Sequence, residues 1–399
     1  MAREDHPMWR GPRHHFDSDH TSDHVHWVEL FYDLIHVVTI FLLGNYLSHH
    51  SGPGGFVVFA GLFVAIWSAW SDSSVFASLY VSTDWVHRVT MALQICTAMF
   101  VAASIPNIPG AGWPIFAVAF GANRAITAFL YWRAIRVRAE TTSLAYEMAR
   151  NFGVLAIIFV ISGFLPLPYG YLLFAAGIVS IQLLYMLPKV GVLRHERFRP
   201  RLGHIAERMA LLVLIVLGEG FFKLVITLSE KGIYKAAPDV LINFVMGGLS
   251  IFLLCWTYFD FVGNAKVKVL SIGEMVRWWL AHLILMMGGV MIGVALAGEV
   301  KVGFLEPYPI EYGWLGGVGL AIFLLALMVI QNAVEPRLAH RYATWRLRLF
   351  GAVVSLVMVG VVPFVPSLVG NLLWFIAIGS QILMPLMWGY RDLVLKKAG

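Results

Sequence analysis

The stretch MVRWWLAHLILMMGGVMIGVALAG, Met275–Gly298, decides the class of fold. Only Arg277 and His282 are ionisable in it. A helix rises about 1.5 Å per residue, so this stretch is long enough to cross a hydrocarbon core about 30 Å thick. It lacks the period-two alternation of a barrel strand. In lipid the backbone has no water to bond and must satisfy its polar groups internally, which a helix does.

The rest of the 399-residue chain repeats this pattern. Hydrophobic residues make up 59% and charged residues 13%, with mean hydropathy +0.76. A soluble domain is nearer half apolar and a quarter charged, so the surplus apolar surface calls for lipid as solvent. Twelve spans are predicted: Val28–Ser48, Gly55–Leu79, Trp85–Ile105, Gly112–Trp132, Phe152–Leu167, Tyr169–Leu187, Ala206–Leu228, Val240–Val262, Met275–Gly298, Gly313–Asn332, Leu349–Phe364 and Leu368–Tyr390. Short Gly/Pro turns join the fifth to the sixth and the eleventh to the twelfth, which predicts two antiparallel hairpins. The fold class expected is therefore an all-α polytopic membrane protein. Cys96 and Cys255 both lie in apolar runs, so no disulfide framework is expected. The polar first 26 residues carry no cleavable signal pattern.

Charge orients the spans. With the N-terminus placed inside, 24 of the 29 Lys and Arg fall on that side, in loops or in the first turn of a span that starts there. Lys231, Lys235 and Lys301 fall on the other, and Arg124 and Lys223 lie within spans. Basic loops mark the cytoplasmic face, so both termini are expected in the cytoplasm and the chain in the cell membrane. The net charge of +6 belongs to those loops, and no nucleic-acid motif accompanies it.

The two halves resemble each other. Arg150-Asn-Phe-Gly opens the fifth span and Arg348-Leu-Phe-Gly the eleventh, each followed by a proline, Pro168 and Pro366. Ser180-Ile-Gln182 matches Ser380-Gln381. Glu29 opens the first span and Glu207 the seventh, while Asp72 and Asp260 close the second and eighth. A parallel tandem repeat of six plus six spans is the expectation. Residues 1–26 then form a polar, His-rich cytoplasmic tail, 27–200 the first half and 201–399 the second.

Two segments carry a resemblance to a known family. Trp27-Val-Glu-Leu-Phe-Tyr-Asp-Leu-Ile-His-Val37 is similar to the acidic signature that opens the bacterial low-temperature-requirement A family. His204-Ile-Ala-Glu-Arg-Met-Ala through Leu-Gly-Glu219 resembles that family's H-x-x-E-R…L-G-E span. Weaker agreements run through Trp67–Arg88, Asn123-Arg124, Trp256-Thr-Tyr-Phe-Asp260 and the span of His282. The resemblance implies an integral membrane fold and names no reaction. His36 stands where the signature has an apolar residue.

Ionisable groups inside lipid cost about 2.5–3.5 kcal/mol each on insertion scales, so they mark interior sites by default. His26, Glu29, Asp33 and His36 are spaced three, four and three apart and share one helical stripe. Asp72, Arg124, Glu219, Lys223, Asp260 and His282 are the other buried candidates for a substrate or proton path. Glu219 has two candidate partners, Lys223 four residues on and Arg124 in the fourth span. His204, Glu207 and Arg208 form a cytoplasmic rim at the entry to the seventh span. The topology puts most of these acids in the cytoplasmic half of the bilayer, which suggests a shared, inward-opening cavity.

A subset of His26, Glu29, Asp33 and His36 is a secondary candidate for a divalent metal. The tail residues His14, His15, His20, His24 and His26, with Asp17, Asp19 and Asp23, are another, although such a tract is more often a solvated, disordered tail. The motifs name no other cofactor. Two functions fit: a proton- or ion-coupled transporter, and a membrane-embedded enzyme acting on a lipid or isoprenoid from the cytoplasmic face. Membrane lipid and a small-molecule, ion or lipid substrate are the partners expected; the sequence sets no oligomeric state.

Overall fold

The computed structural model describes residues 7–9, 11–15, 25–186, 200–263, 265–268, 270–335 and 345–398. The helices are α1 Trp27–His49, α2 Pro53–Leu79, α3 Trp85–Ser104, α4 Trp113–Ala134, α5 Thr142–Phe164, α6 Tyr169–Met186, α7 Leu202–Lys231, α8 Pro238–Tyr258, α9 Ile272–Glu299, α10 Ile310–Asn332, α11 Trp345–Val361 and α12 Ser367–Ala398. Eleven of them are long and apolar enough to cross a membrane. The exception is α6, whose 18 residues extend for about 27 Å at a helical rise of about 1.5 Å per residue. The all-α polytopic fold expected from composition is thus the fold observed.

Most helix edges fall where polarity changes. Asp84 caps α3 by accepting from the His87 amide at 3.4 Å, and Ser271 with Glu274 forms a capping box at the start of α9. The fifth span differs. Its helix begins at Thr142, ten residues before the apolar run at Phe152. The extra turns, Thr142–Asn151, mix buried Leu144, Ala145 and Met148 with exposed Tyr146 and Arg150. Hydropathy registers only the lipid-facing length and misses such an amphipathic extension.

The tail also departs from expectation. Arg13–His14 (β1) pairs antiparallel with Tyr80–Val81 (β2), and His14 and His15 are buried. The His15 imidazole lies 3.3 Å from the Leu79 carbonyl. Those two histidines are therefore packed rather than solvated. His20, His24, Asp17, Asp19 and Asp23 lie outside the described residues.

The chain forms two compact units. The first comprises Met1–Leu43 and Val58–Arg208, the second Gly44–Val57 and Met209–Gly399. In the first, α4 and α5 pack closely and Trp113, Phe116, Phe120, Phe159 and Phe174 interlock from α4, α5 and α6. In the second, α9 is the most enclosed span, with 83% of its apolar window buried. It crosses α10 where a Cβ on Gly288 would come 2.7 Å from the Gly319 carbonyl oxygen, so only glycine permits that approach.

Candidate functional site

A polar ladder occupies the first unit. Glu29 and Asp33 lie one turn apart on α1, and His204 and Arg208 one turn apart on α7, so each helix presents two groups on one face. Arg208 Nη2 donates to Asp33 Oδ1 at 2.5 Å, and its Nη1 is 3.4 Å from Glu29 Oε2. His204 Nε2 stands 3.2 Å from the same Glu29 oxygen. Trp70 of α2 donates its indole N–H to Asp33 Oδ1 at 2.7 Å, and the guanidinium carbon of Arg208 lies 5.3 Å from a Trp70 ring centroid. Arg208 is 0% and Asp33 1% exposed. Asp33 Oδ2 accepts no hydrogen bond among the described residues.

Half-buried His26, one turn before Glu29, lies outside the helix. Burial, the largest influence, holds its imidazole below the usual range, so it adds no cation beside Glu29 at neutral pH.

A second pair lies deeper in the same unit. Arg124 of α4 bonds Asp72 of α2 through Nη1, and its Nη2 donates to the Ala69 carbonyl at 3.2 Å and to Asn123 Oδ1 at 2.5 Å. Asn123 in turn donates to Thr97 Oγ1 at 2.8 Å and to the Gln94 carbonyl at 3.2 Å. Phe120 and Phe152 flank the guanidinium. A small cavity of about 10 Å³, roughly one water by volume, is lined by Tyr32, His36, Thr39 and Asn123 among others. The His36 Nδ1–H donates to the Tyr32 carbonyl at 3.0 Å, because a carbonyl can only accept. In the neutral imidazole Nε2 is then the acceptor.

In the second unit the buried residues singled out from the sequence stand in two separate groups. Glu219 and Lys223, one turn apart on α7, approach to 3.3 Å, and Lys223 donates to Asn45 Oδ1 at 2.5 Å. A Cβ on Gly44 would lie 2.7 Å from Lys223 Cε, so the glycine makes room for the ammonium stem. His282 of α9 donates from Nδ1 to the Trp278 carbonyl at 2.9 Å and takes the Tyr258 hydroxyl on Nε2 at 3.2 Å. Both its nitrogens are satisfied, which fits a packed core histidine.

Of the residues singled out from the sequence, Glu29, Asp33, His204 and Arg208 come together, as do Asp72 and Arg124, and Glu219 and Lys223. Glu219 pairs with Lys223, while Arg124 pairs with Asp72. Arg208, placed at the rim from the sequence, bridges both Glu29 and Asp33 and is the centre of the ladder. Glu207 is half-buried and makes no ion pair among the described residues. Asp260 departs most. It is exposed on a π-helical turn, Phe259–Gly263, and accepts from the Trp256 indole at 2.5 Å. Asp260 continues the outward stripe of Phe252, Cys255, Trp256 and Phe259 at one-turn spacing, so its own helix carries it away from the core. No group of three His, Cys, Asp or Glu side chains suited to a metal ion occurs among the described residues, so His26, Glu29, Asp33 and His36 do not assemble as one. Sequence reasoning gave no site role to Trp70, Asn123 and Gln94. Their signal was polarity at one-turn spacing: Gln94 and Thr97 on α3, Asn123 and Thr127 on α4.

Buried ion pairs between apolar helices of this length define a multi-pass α-helical membrane protein. Residues 24–383 match the family model described as bacterial low temperature requirement A protein, and the chain belongs to that family. It is also similar to an uncharacterized protein of Rhizobium meliloti (strain 1021), 23% identical over 278 residues. That match covers 65% of this chain and 66% of the relative.

Proposed function

We propose that this protein is a proton- or ion-coupled transporter of the cell membrane, with both termini cytoplasmic and the ladder of Glu29, Asp33, His204 and Arg208 as its coupling site. The observation that carries the reading is a charge count. The ladder sets two carboxylates against one guanidinium, with Asp33 and Arg208 fully buried and Glu29 13% exposed. One negative charge is left to balance, and an incoming proton or cation balances it. Paired charges in an apolar interior are seldom better for stability than well-packed apolar side chains. Their presence where α1 meets α7 therefore argues for a functional use. Loading the surplus charge loosens Arg208 from α1, and the helix contact it maintains becomes responsive to the ion. The Lys and Arg segregation supports the orientation. His36, Asp72 and Arg124 extend the proposed path within the first unit, Glu219 and Lys223 are proposed as path residues of the second, and the six-plus-six repeat is proposed as the framework.

The test is proteoliposomes under an imposed proton or sodium gradient, with internal pH and candidate solutes followed together. Gradient-driven flux that D33N abolishes is expected. Wild-type vesicles that move neither ion nor solute discard the reading. The enzyme alternative draws on one observation, an open groove of about 330 Å³ lined by Phe252, Cys255, Trp256, Phe259 and Asp260, which suits an acyl or isoprenoid chain beside a carboxylate. Turnover of a lipid by the purified protein, lost in D260N, would favour it.

A further inference from the structure

Arg348 lies in the first turns of α11 and is 0% exposed. Its Nη1 donates to the Gln381 backbone carbonyl at 3.2 Å and to Gln381 Oε1 at 3.1 Å, both neutral acceptors on α12. The Phe261 ring covers the guanidinium with its centroid 4.7 Å from Cζ. Nε and Nη2 have no hydrogen-bond partner among the described residues, and no carboxylate there forms an ion pair with this arginine. The other two fully buried arginines among the described residues, Arg124 and Arg208, each meet an aspartate.

The orientation of the side chain is fixed. A Cβ on Gly351 would lie 2.4 Å from Gln381 Nε2, so the glycine lets the amide lie flat against α11 with its oxygen on Arg348. That contact uses the Nη1 end of the guanidinium. The edge left over carries Nε–H and Nη2–H, two parallel donors whose spacing matches two oxygens of a carboxylate or phosphate. A buried cation with no counter-charge is unfavourable and calls for an anion at this point. The sequence approaching the site, residues 336–348, contains Arg337, Arg341, Arg346 and Arg348 and no acid.

We propose that Arg348, positioned by Gln381, is the anchor of an oxyanion-binding site in the second unit, taking a phosphate or carboxylate group side-on through Nε and Nη2. The chemistry is shared by a free oxyanion and by the phosphodiester of an anionic lipid. The site is independent of the carrier reading, because no transport measurement enters its test.

The full chain is purified and placed in phosphatidylcholine nanodiscs at constant ionic strength held with sodium chloride. Inorganic phosphate is titrated in one arm. In the other, phosphatidylglycerol replaces a third of the lipid. The readouts are the thermal unfolding midpoint and calorimetric binding. A midpoint that rises with phosphate assigns a free oxyanion, and one that rises only with phosphatidylglycerol assigns the lipid phosphodiester. In either case R348M loses the response, and R348K, which keeps the charge but not the two-donor edge, weakens it by about tenfold or more. No shift in either arm, or an equal shift in R348M, overturns the proposal. If R348M does not purify, R348K decides alone: a response equal to wild type rejects the side-on site.

Discussion

Arg208 in the first unit and Arg348 in the second are both fully buried among apolar helices. Arg208 faces Asp33 and Glu29 on another helix and stacks on Trp70. Arg348 faces an amide, a carbonyl and a phenyl ring. The same side chain thus does two jobs. In the first case its charge is answered within the fold and ties α7 to α1. In the second only its shape is accommodated, and the charge is left for something outside the chain. Burial alone does not reveal which case applies; the charge of the partners does.

Removing the two guanidinium groups separates the cases. R208M leaves Asp33 and Glu29 buried without their cation, and a loss of about 3–5 kcal/mol is expected in denaturant unfolding in mild detergent. R348M in oxyanion-free buffer leaves only neutral Gln381 behind and should cost much less, or stabilise. Equal losses would erase the contrast between the two sites. D33L/R208M removes both charges of the shortest ion pair in the ladder and should regain much of the R208M loss, because fewer uncompensated charges stay buried. If the double variant is no better than R208M alone, the ladder is not an electrostatic unit.

Next in size come the packing contacts of the second unit. A Cβ on Gly319 would lie 2.9 Å from Met291 Cβ, so G319L should cost about 1–3 kcal/mol through overpacking, read as a lower unfolding midpoint. Y258F removes the donor to His282 Nε2 and should cost about 1 kcal/mol, measured the same way. A larger loss would mean that His282 does more than pack. Smallest is E140Q. Its 3.1 Å contact with Arg138 is solvated, and any change should fall within about 1 kcal/mol.

Much of the fold is legible in the order of residues. Met275–Gly298 reads as a span because length and hydropathy are local properties, and α9 contains it. Glu29 and Asp33 read as a site because an acid in an apolar helix is too costly to leave facing lipid. Their helical spacing placed them on one face, where Arg208 meets both. Asp260 reads the same way and yet points outward, on the stripe of Phe252, Cys255, Trp256 and Phe259, because which face of a helix is covered is decided by its neighbours and not by its own spacing. The start of α5 is hidden for the opposite reason: its first turns belong to the helix by hydrogen bonding and to the polar connector by composition.

The sequence by itself determined the solvent, the helices, the acids that break the apolar rule and the family signature at Trp27–Val37. Those follow from composition and from the period of a single helix. Only the tertiary structure decided which charge answers which. Arg208, Arg124 and Arg348 are the same letter, and their partners come from residues 175, 52 and 33 positions away. Coulomb energy depends on distance and burial in space, which the order of residues along the chain does not contain.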